Sequence, residues 1–228
     1  MAELAPPSPK FASSDPVIDD KDLYLAFRLM KTKDFDGAER RLKEGLAKVR
    51  SQKNATFEGL YLSAMGVLFK LKRDFKESYK YYQQAERLLP DDNSVRIISA
   101  TLLIQEFKQH DTAIRKLKKV IESAPGDIAI AHHALALLGV AYLSMGKKPL
   151  AKQVLEEVLK QDFTKLSSSA YVNYKFPEIC VAKNFEPELC LEYLRKAAAL
   201  ADLRREGGYK HVITQLIDQI ENLKKQKI

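Results

Sequence analysis

The sequence predicts an all-α chain, an array of short helical hairpins stacked as a solenoid. Three observations predict it. Ala, Leu, Lys, Glu and Gln dominate, all good helix formers, while Gly occurs 9 times and Trp not at all in 228 residues. A sheet protein of this size needs more turn glycines and more β-branched runs. From Asp19 onward, apolar residues recur at three- and four-residue spacing, the period of one helix face. Short polar breaks interrupt that period at Lys33-Asp34, Lys72-Arg73-Asp74, Pro90-Asp91-Asp92-Asn93, Pro125-Gly126-Asp127 and Gly146-Lys147-Lys148. Breaks this brief fold neighbouring helices back on each other.

The breaks also repeat. Asp34-Phe35-Asp36-Gly37-Ala38-Glu39 echoes Asp74-Phe75-Lys76-Glu77-Ser78-Tyr79, and the Pro-Asp turn at Pro90 echoes the Pro-Gly-Asp turn at Pro125. A period of about 34 residues belongs to helical solenoids. Small residues stand where the two helices of a hairpin must approach: Gly66 and Gly139 on first helices, Ala38, Ala113 and Ala151 on second helices. Glycine inside a helix costs about 1 kcal/mol against Ala, so its presence argues for a packing reason.

Together these marks resemble the tetratricopeptide repeat. The fourth unit is clearest, with Leu138-Gly139, Tyr142, Gly146, Ala151, Leu155 and Val158. The second has Met65-Gly66, Phe69, Phe75, Tyr82, Ala85 and Pro90, with Ser78 in the usual Ala place. The third keeps Ala113, Leu117 and Pro125 but has Ala100-Thr101 for Leu-Gly. The first keeps Leu25-Ala26, Leu29, Ala38 and Leu42, and the fifth only Cys190, Leu194 and Ala197. The resemblance implies a right-handed solenoid of about five hairpins over residues 19–206, with the first helix of each pair lining a concave side.

The ends differ from the array. Residues 1–18 hold Pro6, Pro7, Pro9 and Pro16 with Ser8, Ser13 and Ser14, and read as a disordered tail. Residues 207–228 read as a C-terminal capping helix, with Val212, Leu216, Ile217, Ile220 and Leu223 on one stripe and Lys224, Lys225 and Lys227 suiting the C-terminal dipole. Pro177 falls inside the expected first helix of the fifth unit, so it either kinks that helix or moves its start to about Pro177.

No pattern for catalysis appears. His110, His132, His133 and His211 lack metal-ligand spacing, and the adjacent His132 and His133 point about 100° apart on a helix. Gly139 and Gly146 enclose apolar residues of a helix, not a phosphate-cradling loop. Nucleophile-elbow and zinc-protease motifs are missing. Cys180 and Cys190 read as small buried hydrophobes on the two helices of one hairpin. The expectation is a non-enzyme without cofactor or metal. With two cysteines, no signal-peptide pattern and no membrane-length apolar run, the expected location is the cytoplasm.

Two binding surfaces are expected. After one stripe of each first helix is assigned to its hairpin partner, apolar residues are left over. They are Leu23, Phe27 and Met30, then Leu60 and Val67, then Val95, Ile98 and Leu102, then Ala136, Val140 and Leu143, continued by Val172 and Ile179. They predict a groove for an apolar or amphipathic protein segment. Family members that bind chaperone C-terminal tails carry Lys, Arg and Asn on this face, and the aliphatic residues here argue against such a carboxylate clamp. Alternatively these residues are core. The second surface is basic. The net charge is +8, and Arg28–Lys80 holds 14 basic against 7 acidic residues. Arg40, Arg41, Lys43, Lys72, Arg73 and Lys76 would face an acidic protein or nucleic acid. Without interleaved aromatics for base stacking, nucleic acid is the less favoured partner. Self-association through an end of the solenoid is a further expectation.

Overall fold

The computed structural model describes residues 21–166 and 175–225. The predicted tail at 1–18, Val172 and the end beyond Lys225 lie outside the described residues. Everything described is helix or connection, with no strand among these residues. The helices are α1 (Lys21–Lys31), α2 (Phe35–Ser51), α3 (Ala55–Leu71), α4 (Phe75–Leu88), α5 (Asn93–Gln105), α6 (His110–Ser123), α7 (Ile128–Ser144), α8 (Lys148–Leu159), α9 (Lys175–Ala182), α10 (Pro187–Leu203) and α11 (Gly207–Lys225). A one-turn 3₁₀ helix, Phe163–Lys165, lies in the connection after α8. The chain is thus an all-α array of five helical hairpins followed by one further helix. It forms two compact units, one ending at Leu102 and one starting at Leu103, so the division falls within α5.

One kind of tight turn recurs in both units. At the end of α1, Lys33 takes a left-handed φ of 64°, and the Asp34 amide donates back to the Leu29 carbonyl at 2.9 Å. Lys53 (φ 55°) and Arg73 (φ 62°) repeat this, with Asn54 donating to Val49 O and Asp74 to Phe69 O. In the second unit Gly146 (φ 73°) does the same, with Lys147 donating to Tyr142 O. These backward bonds satisfy the orphan carbonyls of the outgoing helix. In the first unit the next residue then caps the incoming helix. Asp34 Oδ1 accepts from Gly37 N at 2.9 Å, Asn54 Oδ1 from Phe57 N at 3.1 Å and Asp74 Oδ1 from Glu77 N at 3.1 Å.

Close helix approach is built from a glycine and an aromatic ring. A Cβ added to Gly66 on α3 would lie 2.8 Å from the Tyr82 ring on α4. One on Gly45 of α2 would lie 2.2 Å from the Tyr61 ring on α3. In the second unit, one on Gly139 of α7 would lie 2.3 Å from the Phe176 ring on α9. Gly66 therefore serves its own hairpin, as expected, whereas Gly139 receives a ring from the following hairpin. Ser78, in the usual Ala place, is fully buried and donates to the Gly66 carbonyl at 2.8 Å. That bond removes the desolvation cost of its hydroxyl.

Pro177 lies within α9, whose description begins at Lys175; the residues just before it lie outside the described ones. Pro149 and Pro187 stand in the first turn of α8 and α10, where no intrahelical N–H bond is lost.

Two stability predictions follow from this geometry. Gly→Ala within a helix normally stabilises by about 1 kcal/mol. Gly66→Ala is expected to reverse that sign and destabilise by about 1–2 kcal/mol, because its methyl meets the Tyr82 ring. Gly208→Ala, with open space around the added carbon, keeps the ordinary sign. Urea unfolding of both variants checks the contrast, and equal signs would refute the packing account. Lys53→Gly is expected to raise stability by about 0.5–1 kcal/mol by relieving the left-handed backbone. Thermal unfolding read by circular dichroism measures that gain.

Candidate partner-binding face

The first unit places two neighbouring first helices, α1 and α3, in contact with each other, and α2 and α3 also pack together. On α1, Ala26 and Met30 are buried at 0% and 4% exposure. Leu23 and Phe27 are half-buried. On α3, Tyr61, Leu62, Met65 and Leu68 are buried and Leu60 and Val67 are half-buried. The sequence-predicted groove residues of this unit therefore divide. Leu23, Phe27, Leu60 and Val67, with Ile98 on α5, keep accessible apolar surface. Met30, Val95 and Leu102 are buried, the last two at 3% and 2% exposure.

The corresponding residues of the second unit are buried. Ala136, Val140 and Leu143 on α7 are 0%, 8% and 1% exposed. Three helices, α6, α8 and α9, pack against α7. Its run from Ala134 to Leu143 is buried throughout, as a helix apolar on every side requires. Ile179 on α9 is half-buried.

Of the six basic residues predicted for this face, all exposed, three are matched by carboxylates. Glu39 on α2 lies at the centre, 2.7 Å from Lys43 Nζ and 2.9 Å from Lys72 Nζ. Those hydrogen bonds hold its carboxyl below the ordinary range. Lys72 also lies 5.4 Å from the Phe69 ring centroid, and Phe69 stacks on Tyr81 at 5.3 Å. Arg41 approaches Asp22 at 3.7 Å and Glu44 at 3.8 Å. Among the described residues, Arg40, Arg73 and Lys76 have no ion-pair partner and stand exposed. Exposed pairs of this type contribute about 0–1 kcal/mol each, so the matching matters for charge complementarity and little for stability.

The second unit contains a polar cluster that sequence reasoning missed. His132 on α7 is fully buried. Its Nδ1 lies 2.9 Å from Gln161 Oε1 and its Nε2 lies 3.1 Å from the Tyr193 hydroxyl on α10. The amide oxygen can only accept, so Nδ1 carries the proton and Nε2 accepts from Tyr193. Phe163 packs edge-on against the imidazole at 4.8 Å between centroids. Burial, partly offset by the Gln161 bond, lowers the His132 pKa to about 4. The ring is neutral, with both nitrogens occupied, so it offers no free base or metal ligand. Its partners stand 29 and 61 residues away in sequence, a separation that no local motif reveals.

No family model matches the chain, and no curated protein matches it. Solved structures are similar to it. MamA from Desulfovibrio magneticus RS-1 matches with a TM-score of 0.56 and 20% identity, over 80% of this chain and 94% of that one. The apo form of RapI matches with a TM-score of 0.63 and 14% identity, over 91% and 83%. PilW, described as a widely conserved type IV pilus biogenesis factor, matches with a TM-score of 0.57 and 12% identity, over 92% and 99%. At these identities the likeness is one of fold, a tetratricopeptide-like array of helical hairpins. No helix among the described residues is long and apolar enough to cross a membrane.

The buried imidazole sets a pH response. An unfolded chain binds a proton near pH 6.5, whereas folded His132 resists it until about pH 4. Stability from this residue is therefore fully present above pH 6.5 and declines as pH falls from 6.5 toward 4. The full loss is about 3 kcal/mol. Urea unfolding of wild type and His132→Gln at a series of pH values should show the wild type losing more stability over that window. Parallel curves would refute the assignment.

Proposed function

We propose that this chain is a protein-interaction scaffold that receives an apolar or amphipathic helical segment on the face formed by α1 and α3. The observation that carries the reading is the set of half-buried apolar side chains on these two touching helices: Leu23, Phe27, Leu60 and Val67. Completing the burial of four such chains contributes roughly 3–6 kcal/mol gross. Ordering and association reduce that gain, which corresponds to weak, reversible capture suited to assembly work. The similar fold of PilW, a biogenesis factor by its own description, supports a role in building a larger assembly. The reading is of a non-catalytic, cytoplasmic adaptor, without the cationic carboxylate clamp of chaperone-tail binders.

A second reading is favoured by exposed, unmatched Arg40, Arg73 and Lys76, which would attract an acidic protein surface. Salt separates the two. Binding through this face weakens steeply with ionic strength, whereas apolar capture does not.

The test is selection from a displayed library of amphipathic helical peptides, followed by titration of the winners. Leu60→Lys with Val67→Lys, helical by circular dichroism, is expected to weaken them at least about 10-fold, a loss of about 1.4 kcal/mol. Unchanged affinity in that variant, with loss of binding in salt, would transfer function to the basic residues. Leu102→Lys is unsuitable as a probe, because Leu102 is 2% exposed and a buried cation would unfold the unit.

A further inference from the structure

Cys180 on α9 and Cys190 on α10 are each 1% exposed and are the only two cysteines in the sequence. They are free thiols. Both line one partly open cavity of about 50 Å³, with Val181, Phe185, Ile220 and Lys224 among its other walls. A volume of that size admits a few waters or a peroxide-sized molecule. The neighbouring Cys190, with burial, pushes the Cys180 thiol up. Cys190 Sγ further donates to the Phe185 carbonyl at 3.4 Å. A pair of inert core thiols would need no shared cavity.

We propose that Cys180 and Cys190 form an intramolecular dithiol that hydrogen peroxide converts to a disulfide joining α9 to α10. In the first step the Cys190 sulfur attacks one peroxide oxygen. The O–O bond breaks, Cys190 becomes a sulfenic acid and one water leaves. In the second step the Cys180 sulfur attacks the Cys190 sulfur. The S–O bond breaks, the S–S bond forms and a second water leaves. Two thiols and one peroxide thus yield one disulfide and two waters, with sulfur oxidised and peroxide reduced.

The order of attack has a physical basis. The neighbouring Cys190, then burial, push the Cys180 thiol up, which disfavours its thiolate in the peroxide step; in the second step its proton leaves with the Cys190 hydroxyl as water. The product also has a structural consequence. A disulfide sets its two sulfurs about 2.05 Å apart, closer than two thiols can pack, so oxidation draws α9 toward α10. The wall that adjusts is α11, through Ile220, Leu223 and Lys224. Lys224 pairs with Glu188 of α10, so α11 is tied to the same hairpin.

The experiment uses the full chain, kept folded and followed by circular dichroism while hydrogen peroxide is added. Samples are denatured in N-ethylmaleimide, and intact mass is recorded. The wild type is expected to lose both maleimide additions and two hydrogens, remain a single chain without reductant, and recover both labels after dithiothreitol. Cys180→Ala is expected to give a dimedone adduct at Cys190 and no intramolecular bond. Cys190→Ala is expected to give neither. Should a variant fail to fold, the wild-type mass and peptide map decide alone. Two thiols still labelled after peroxide, a disulfide found only between chains, or a dimedone adduct at Cys180 would each overturn the proposal.

Discussion

How closely two helices can approach governs this structure. Helix axes pack tightly only where one backbone presents no side chain and the other inserts something flat and large. Gly45 with Tyr61, Gly66 with Tyr82, and Gly139 with Phe176 are three versions of that arrangement. In each, the ring occupies space that any Cβ would fill. Tyr61, Tyr82 and Phe176 are accordingly among the largest fully buried side chains. The Tyr82 hydroxyl lacks a hydrogen-bond partner among the described residues, and burial pushes its pKa up. The ring is thus tolerated for its shape despite an unsatisfied polar atom. The same seat joins helices within a hairpin at Gly66 and successive hairpins at Gly45 and Gly139, so one device supports both levels of the array.

The turns supply direction where the glycine seats supply distance. A left-handed residue followed by a capping Asp or Asn closes one helix and opens the next within three or four residues. Lys33, Lys53 and Arg73 accept an unfavourable backbone for this, since the geometry requires the conformation but not glycine itself. Their exposed side chains then account for part of the basic surplus at this end. Some of the positive charge that looks like a binding signal therefore stands at turn positions.

The fold was legible because its determinants are local. Periodicity, caps and the repeated Asp-Phe breaks all act within a few residues, and the hairpins followed from them. What was not legible depends on contacts between distant segments. The turn of Gly139 toward Phe176 requires knowing that α9 packs on α7. The His132, Gln161 and Tyr193 cluster brings together residues that no spacing rule links. The candidate face was half legible for the same reason. Leftover apolar residues could be named from the helical period, but their exposure depends on which face of each helix its neighbours cover.

That dependence separates scaffold from surface. On α7, which α6, α8 and α9 contact, the run from Ala134 to Leu143 is buried, while Ile128 and Ile130 near its start stay half-buried. α1 and α3 carry the same kind of residues in the same register, yet Leu23, Phe27, Leu60 and Val67 stay half-buried. These four are part of the apolar pattern that internal packing does not consume, as are Ile98 and Ile179. Hydrophobic free energy still available on a folded unit is what a partner segment can use. In this chain the repeat pattern sets which residues are candidates, and the face that neighbouring helices cover sets which of them stay accessible.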